Sequence, residues 1–478
     1  MAIKIFNSMT KKKEVFAPVK KGLVSIYACG PTVYDFIHIG NARTFVAFDV
    51  VRRYLEYRGF DVLFVSNITD VGHLTSDADT GEDKILKRAK RENVEPMELI
   101  ERYIEEYHKD IDALNIKRPD ISPRATGHII EIIDWVKKLV EKGYAYEKNG
   151  SVYFDVSKFK NYGKLSGNTL DKLKAGARVE AIEEKNDALD FAVWIKAEPE
   201  HLMRWNSPWG KGYPGWHIEC NVMATKYLGE TIDIHAGGKD LKFPHHENEI
   251  AQAEAVTGKP FVNYWMHSEY INIKGEKMSK SKGNFFTARN VIEKFGPEIT
   301  RYFLASMHYR KEVNFDDNAV KQAEISLNRI NSFLERVNDS LNKKDKKDAR
   351  IQKLFEDTKK EFSDAMDDDF NVPMALSKVF DLIRELNSHM EKNEVDRKAL
   401  GLSKEFIEKD LSSILGVNFG RKKVVYSDDL EKVMKILIDI RERARKSKDF
   451  KTTDSIRDNL ARIGIVLEDT DEGVKWHK

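Results

Sequence analysis

The chain has 478 residues, of which 41% are hydrophobic, which is enough for several globular domains with sizeable cores. Lys and Arg number 80 against 78 Asp and Glu, so net charge alone does not indicate nucleic-acid binding, and any basic surface must be local. The two cysteines lie far apart, and the sequence shows neither an apolar signal peptide nor an apolar run of 18 residues. These features argue against a disulfide scaffold and a membrane protein, and we expect a soluble chain in a reducing, cytoplasmic compartment.

The first part of the chain predicts a strand, a loop and a helix of the kind that binds nucleotide phosphates. An apolar strand over residues 23–28 leads through a Gly-Pro loop into a helix whose apolar face recurs at Val46, Val50 and Tyr54. Unpaired backbone N–H groups and the helix dipole favour an anion at such a helix N-terminus. A second apolar run at residues 61–68 predicts a buried parallel strand, and the two strands indicate a doubly wound sheet.

The middle of the chain first leaves and then returns to this pattern. Residues 121–215 contain a helix at 128–142 followed by short strands and polar turns, which we interpret as an insertion between two halves of one sheet. Apolar strand signals return at residues 231–235 and 264–273. We expect these to complete the nucleotide-binding sheet, with ligands at the carboxyl ends of its strands.

The rest of the chain is predominantly helical. Residues 316–404 show helical apolar faces, and the lysine-rich stretch 343–348 between them is interpreted as a solvated loop. A third region begins near Arg421 with another amphipathic helix. Its residues that we expect to face inward are Val433, Ile436, Leu437 and Ile440.

Four side chains spread along the chain could form a zinc site. Glu249 follows His245 by four residues, so both would share one face of a predicted helix. With Cys29 and Cys220 they offer two thiolates, an imidazole and a carboxylate, a donor set that suits zinc. The spacing supports equally well an interpretation in which the cysteines are small buried residues and His245 caps a helix. We expect His246 to point away from the shared face and to lie outside any metal site.

A second chemical stretch reads Lys-Met-Ser-Lys-Ser at residues 277–281 and is flanked by Gly275 and Gly283. Its lysines could neutralise a polyphosphate, and its glycines would let the loop close over that ligand. By composition alone the stretch is a solvated loop. The phosphate-binding interpretation therefore depends on the loop and the strand–loop–helix unit acting together.

This lysine loop and the His-Ile-Gly-Asn stretch at residues 38–41 resemble the two signature motifs of class I aminoacyl-tRNA synthetases. Further stretches resemble the cysteinyl-tRNA synthetase family in particular and extend the resemblance over nearly the whole chain: residues 29–35, 214–220, 243–249, 367–371 and 464–469.

The resemblance implies an α/β fold with a Rossmann-like doubly wound parallel sheet and a connective insertion, followed by an α-helical bundle and a small C-terminal domain. It implies a monomer that attaches L-cysteine to tRNA(Cys) through a cysteinyl-adenylate, using ATP with magnesium. The expected domains are the first catalytic half at 1–120, the insertion at 121–215, the second catalytic half at 216–315, the bundle, with a tRNA-binding role, at 316–420 and an anticodon-recognition region at 421–478.

The resemblance also implies roles for individual residues. One zinc ion per chain would be held by Cys29, Cys220, His245 and Glu249, and it would reject serine because a hydroxyl is a poorer zinc ligand than a thiolate. Catalytic roles fall to His38, Asn41, Lys277 and Lys280. ATP is expected to contact His38, Gly40, Asn41, Gly238, Asp240 and Lys280. The amino-acid pocket is expected at Thr69, Trp216 and His235, with core packing as the alternative for Trp216.

In the C-terminal region the resemblance makes a basic run a candidate for contacts with RNA phosphates, although a solvated helix end explains any one of its members nearly as well. The members of this run are Arg441, Arg443, Arg445, Lys446 and Lys448.

One segment departs from the family pattern. A polar insertion at residues 71–81, with His73, Asp77 and Asp79, separates the Asn-Ile-Thr-Asp stretch at 67–70 from the Glu-Asp-Lys-Ile stretch at 82–85. We expect it to act as a mobile lid, and it puts pocket contacts from this loop in doubt. Two other functions stay open: a cysteine ligase acting on an amino sugar, which would not need residues 421–478, and a non-catalytic RNA-binding relative.

Overall fold

The structure is a computed structural model. It describes residues 2–74, 81–168, 184–273, 276–277, 286–420, 428–447, 449–463, 465–470 and 473–477. The chain divides into two compact units, Met1–Gly420 and Arg421–Lys478. Within the described ranges, no helix has the length and apolar character needed to cross a membrane.

A four-stranded parallel sheet forms the centre of the larger unit. Its strands lie in the order Val262–Ser268, Ile232–Gly238, Leu23–Ala28 and Asp61–Ser66. The two inner strands are buried on both faces, as expected for apolar runs in a parallel sheet covered by helices. The predicted α/β fold with a Rossmann-like parallel sheet is confirmed.

Three helices next to this sheet matter for the functional site. We call Ile39–Tyr57 the His38 helix, Ile218–Leu228 the Cys220 helix and His245–Thr257 the His245 helix. The His38 helix follows the first sheet strand through a loop, and the His245 helix follows Ile232–Gly238 through a short 3₁₀ turn. Because the carboxyl ends of parallel strands meet at one edge of a sheet, these connections bring the helix N-termini to that edge.

The predicted strand over residues 264–273 is wrong as a single element. Val262–Ser268 belongs to the parallel sheet, whereas Ile271–Ile273 pairs with Glu276–Lys277 and Val313–Phe315 in a separate sheet. The backbone leaves the first sheet after Ser268, and the Tyr270 carbonyl accepts a 2.6 Å hydrogen bond from the buried guanidinium of Arg43. This long-range contact with the His38 helix has no counterpart in the local apolar pattern.

The connective region carries its own antiparallel sheet, preceded by the helix Ile129–Glu141. Its strands lie in the order Ala145–Lys148, Ser151–Phe154, Phe191–Lys196, Gly210–Pro214 and Trp205–Ser207. Further α-helices that the structure describes before the bundle are Lys84–Glu92, Pro96–Ala113, Ala288–Phe295 and Pro297–Ala305, and a hairpin is formed by Lys4–Asn7 and Lys12–Val15.

The bundle packs the apolar faces that the helical periodicity predicts. Leu327, Leu334, Leu382 and Leu386 are buried between its helices. The lysine-rich stretch between two of them is exposed and contains the short strand Lys344–Asp345. The bundle consists of Asp317–Ser340, Ala349–Asp367, Val372–Met390, Arg397–Glu405, the π-helical Phe406–Leu411 and Ser412–Leu415.

The smaller unit contains the helices Asp428–Lys446 and Phe450–Arg462 and a hairpin of Val466–Thr470 with Gly473–His477. Its core includes Met434, Leu460 and Ile465.

The predicted inward face of Asp428–Lys446 is wrong for three of its four residues. Val433, Ile436 and Ile440 are 49%, 58% and 42% exposed, whereas Met434 and Ala444 are buried. Apolar residues lie on two neighbouring faces of this helix. The face that is buried within the unit is shifted by one residue from the predicted face.

Candidate active site

A cavity of about 420 Å³ opens at the carboxyl edge of the parallel sheet. Its lining includes Cys29, Gly238 and Ser268, which end or directly follow three of the strands. The N-terminus of the His38 helix forms a further part of the wall. A ligand site at this edge is the expected position in an open α/β sheet.

The His38 helix begins with a reciprocal cap. The Nδ1 atom of His38 accepts a hydrogen bond of 3.1 Å from the backbone N–H of Asn41, and the Asn41 Oδ1 atom accepts one of 3.2 Å from the backbone N–H of His38. His38, Gly40 and Asn41 all line the cavity. Two helix-end donors are therefore satisfied internally, while the dipole of a 19-residue helix still favours an anion in the cavity.

Gly238 and Asp240 form another part of the lining. A Cβ atom added to Gly238 would lie 2.4 Å from the Asp240 Oδ1 atom, so a larger residue at this position would displace this carboxylate. Both predicted adenosine contacts thus lie at the cavity, beside the start of the His38 helix.

The structure describes only the backbone start of the lysine loop. The backbone of Lys277 pairs with that of Asn272 in a two-stranded ladder. Ile271, the residue before Asn272, lines the cavity. The side chain of Lys277 and all of Lys280 lie outside the described residues.

The four predicted metal ligands come together at the cavity. Donor atoms of Cys29, Cys220, His245 and Glu249 all lie within 4.8 Å of one another, and all four residues are buried. His245 Nε2 lies 3.5 Å from Cys220 Sγ and 3.0 Å from Glu249 Oε1. His245 is the first residue of its helix and Pro244 occupies the cap position, so the capping role is not filled by His245.

The expectation that His246 points away from these groups is wrong. Its Nε2 atom lies 3.3 Å from Cys29 Sγ, and Cys29, His235, His246 and Glu249 form a second close set of donors. Glu249 follows His245 by four residues and His246 by three, and side chains at both spacings are neighbours on a helix surface. The Glu249 carboxylate lies 3.0 Å from His245 Nε2 and 2.7 Å from His235 Nε2, while His246 contacts Cys29.

His235 does not belong to the described lining of the cavity. It is fully buried, its Nε2 atom lies 2.7 Å from Glu249 Oε2, and its ring stacks on Trp265 at 4.6 Å. Its position supports the Glu249 carboxylate, whereas the sequence predicted a contact with the amino acid.

Thr69 and Trp216, the other two residues predicted for the amino-acid pocket, do line the cavity. The Thr69 hydroxyl donates a 2.7 Å hydrogen bond to the buried carboxyl of Glu219. The Trp216 ring stacks at 4.7 Å on the imidazole of His245. Both side chains thus line the cavity, and each is held in place by a contact with a buried residue.

Burial and the charges of neighbouring groups both shift the pKa values in the cluster. Burial raises the pKa of the Cys29 thiol to about 12 and raises the pKa of Cys220 well above its usual value. Burial also acts to raise the pKa of Glu249, but the imidazoles of His235 and His245 outweigh it and lower that pKa to about 2. A divalent cation would offset the cost of burying thiolates here, since coordinated thiols are deprotonated. The donor set therefore fits a metal ion.

Comparison with known proteins identifies the family. A family model described as "tRNA synthetases class I (C) catalytic domain" matches residues 15–325, a "DALR domain" matches 361–420, and a "Cysteinyl-tRNA ligase anticodon binding domain" matches 427–476. The chain is 47% identical over 476 residues to the cysteine–tRNA ligase of Carboxydothermus hydrogenoformans and 48% identical over 481 residues to that of Clostridioides difficile, with 100% of both chains covered in each case. The chain belongs to the cysteine–tRNA ligase family.

Solved structures with much lower sequence identity share the fold of this family. The methionyl-tRNA synthetase of Mycobacterium tuberculosis in complex with methionyl-adenylate matches with a TM-score of 0.61 and 15% identity, over 82% of this chain and 90% of that one. The LeuRS–tRNA–LeuAMS ternary complex of Agrobacterium radiobacter K84 matches with a TM-score of 0.61 and 11% identity, over 84% and 85%. These matches support the class I fold.

The basic run predicted to contact RNA is only partly at the surface. Arg441 is 5% exposed and lies on the helix face that carries Met434, so its assignment as a surface cation is wrong. Arg443 and Arg445 are exposed, as is Lys446. Lys448 lies outside the described residues.

The sequence interpretation missed one group in the cavity wall. His73, Thr32 and Lys84 line the cavity, and the His73 ring contacts each of the other two side chains. His73 was noted only as part of the polar insertion, of which residues 75–80 lie outside the described part of the chain. Position within a polar loop carried no signal that this ring packs against Trp216.

Proposed function

We propose that this protein attaches L-cysteine to tRNA(Cys) in two steps, with ATP first activating the amino acid as cysteinyl-adenylate. One observation carries the proposal: a buried set of two thiols, an imidazole and a carboxylate shares a cavity with the capped N-terminus of the His38 helix. The first feature suits recognition of a thiolate, and the second suits a phosphate chain.

We further propose that the resident metal is zinc, one ion per chain, held by Cys29, Cys220, His245 and Glu249. Two sulfur donors with one imidazole and one carboxylate favour zinc over harder cations. When bound, zinc supplies a Lewis acid with a strong preference for a thiolate over the hydroxyl of serine, so the site needs no separate editing domain.

The chain's own groups bind and orient the reactants. The N-terminus of the His38 helix, with His38 and Asn41, would hold the phosphates, and Asp240 would accept hydrogen bonds from the ribose hydroxyls. Lys277 and Lys280, together with magnesium, would stabilise the leaving pyrophosphate. The attacking group is the carboxylate of the substrate itself, so the protein contributes alignment and charge stabilisation and no nucleophile.

The bundle and the smaller unit would hold the tRNA, with Arg443 and Arg445 among the phosphate contacts. We propose that the enzyme is a cytoplasmic monomer. Light scattering coupled to size-exclusion chromatography measures this directly, and a mass near 55.2 kDa is expected.

Transfer of labelled cysteine to tRNA by the purified protein, with serine as competitor, tests the proposal. We expect cysteinyl-tRNA from the wild type, no inhibition by serine, and no product from Cys220→Ala. Cysteine-dependent pyrophosphate exchange without transfer to tRNA would instead favour a small-molecule ligase. Binding of tRNA with no activation of cysteine would favour a non-catalytic relative.

A further inference from the structure

The start of the polar insertion forms part of the cavity wall. His73 is only 8% exposed, and it lines the cavity together with Thr32, Lys84 and Trp216. This residue belongs to the polar segment at residues 71–81. The insertion therefore contributes a side chain to the site itself.

The backbone on either side of His73 is held by hydrogen bonds. The Lys84 N–H donates to the His73 carbonyl at 3.0 Å, and the Gly72 N–H donates to the Asp83 carboxylate at 3.2 Å. Asp83 also caps the helix Lys84–Glu92, since its carboxylate accepts from the Ile85 N–H at 2.8 Å. His73 is thus fixed relative to a helix end.

The contacts of the His73 imidazole indicate which of its two nitrogens carries the proton. Lys84 Nζ lies 2.8 Å from His73 Nε2, and Thr32 Oγ1 lies 2.6 Å from His73 Nδ1. An ammonium group can only donate, so Nε2 accepts and Nδ1–H donates to the threonine hydroxyl. The two hydrogen bonds fix the plane of the ring.

This fixed ring stacks on Trp216. The centroids lie 4.3 Å apart with an angle of 14° between the planes. The Trp216 ring also stacks on His245, at 4.7 Å and 29°. The indole is therefore held between a residue of the insertion and a residue of the proposed metal site.

We propose that His73 is a positioning residue for amino-acid selection, which fixes the Trp216 wall of the pocket and so limits the length of the thiol side chain that fits. The inference rests on the proposed cysteine activation. His73 acts through Trp216, on which its ring stacks.

Cysteine-dependent pyrophosphate exchange with substitutions at His73 tests this role. Loss of one aromatic stacking contact should raise KM for cysteine in His73→Ala by about two- to tenfold. Homocysteine, which is one methylene longer, should become a better competitor, while kcat and KM for ATP stay close to the wild-type values. His73→Phe keeps the stacked ring and should restore KM, whereas His73→Gln keeps only polar groups and should behave as His73→Ala.

His308→Ala is the matched control, because the His308 ring stacks on Tyr309 at 5.1 Å and 18° and does not belong to the described cavity lining. We expect wild-type KM for cysteine from this control. The inference is overturned by a wild-type KM for cysteine in His73→Ala, by equal losses in every kinetic parameter, or by rescue with Gln in place of Phe. Absence of cysteine-dependent exchange in the wild type would instead overturn the proposed function.

Discussion

The hydrogen bond between His235 and Glu249 leads to a prediction about the role of His235. It distinguishes support of Glu249 as a metal ligand from a direct contact with the amino-acid substrate. His235→Phe keeps a ring between Tyr27 and Trp265, at 5.2 and 4.6 Å in the native protein, but removes the donor that lies 2.7 Å from Glu249 Oε2. A hydrogen bond to a charged group contributes about 1.5–3 kcal/mol. Zinc affinity should therefore fall by roughly ten- to hundredfold, the range observed when groups that support a metal ligand are removed.

The assay is competition for zinc against a chelating indicator, with the melting temperature measured in parallel. His267→Phe is the matched control, because both ring nitrogens of His267 are engaged by His246 and Ser8 rather than by the four proposed ligands. An unchanged zinc affinity in His235→Phe, accompanied by a raised KM for cysteine, would refute the reasoning. It would favour the direct substrate contact that the sequence predicted.

Three further predictions concern other parts of the chain. Asn41→Ala removes half of the reciprocal cap, so KM for ATP should rise and the free energy of unfolding should fall by about 1 kcal/mol, as measured by exchange kinetics and urea titration. Arg301→Met removes the buried guanidinium 2.6 Å from Asp49, and unfolding of the larger unit should cost about 3 kcal/mol less; an unchanged urea midpoint would contradict this. Replacing Arg443 and Arg445 by alanine should reduce the slope of log tRNA affinity against log salt by about 1.5, whereas a wild-type slope would exclude them as phosphate contacts.

Local periodicity was sufficient where the relevant contacts are local. The i, i+4 spacing of His245 and Glu249 predicted their shared face, and the apolar runs predicted the sheet strands that end near Cys29 and Gly238. The meeting of Cys29 with Cys220 depends on the tertiary fold, and on spacing alone burial as small apolar residues explained them equally well. The resemblance to a known family resolved that choice.

The errors have tertiary causes. His246 contacts Cys29, which follows the distant strand Leu23–Ala28, and helical spacing alone does not reveal this contact. The predicted strand over 264–273 is divided between two sheets, and the Tyr270 carbonyl between its two parts accepts a hydrogen bond from the distant Arg43. In the smaller unit, packing buries Met434 and leaves Val433 exposed, although both lie on apolar stripes.

Zinc-edge X-ray absorption on the purified protein, before and after addition of L-cysteine, tests the central claim most directly. The proposed site predicts two sulfur and two nitrogen or oxygen donors without substrate, with zinc–sulfur distances of about 2.3 Å. Addition of L-cysteine should raise the number of sulfur neighbours from two to three, and addition of L-serine should leave it unchanged. A sulfur count that stays at two with saturating cysteine would contradict selection of the substrate through its thiolate.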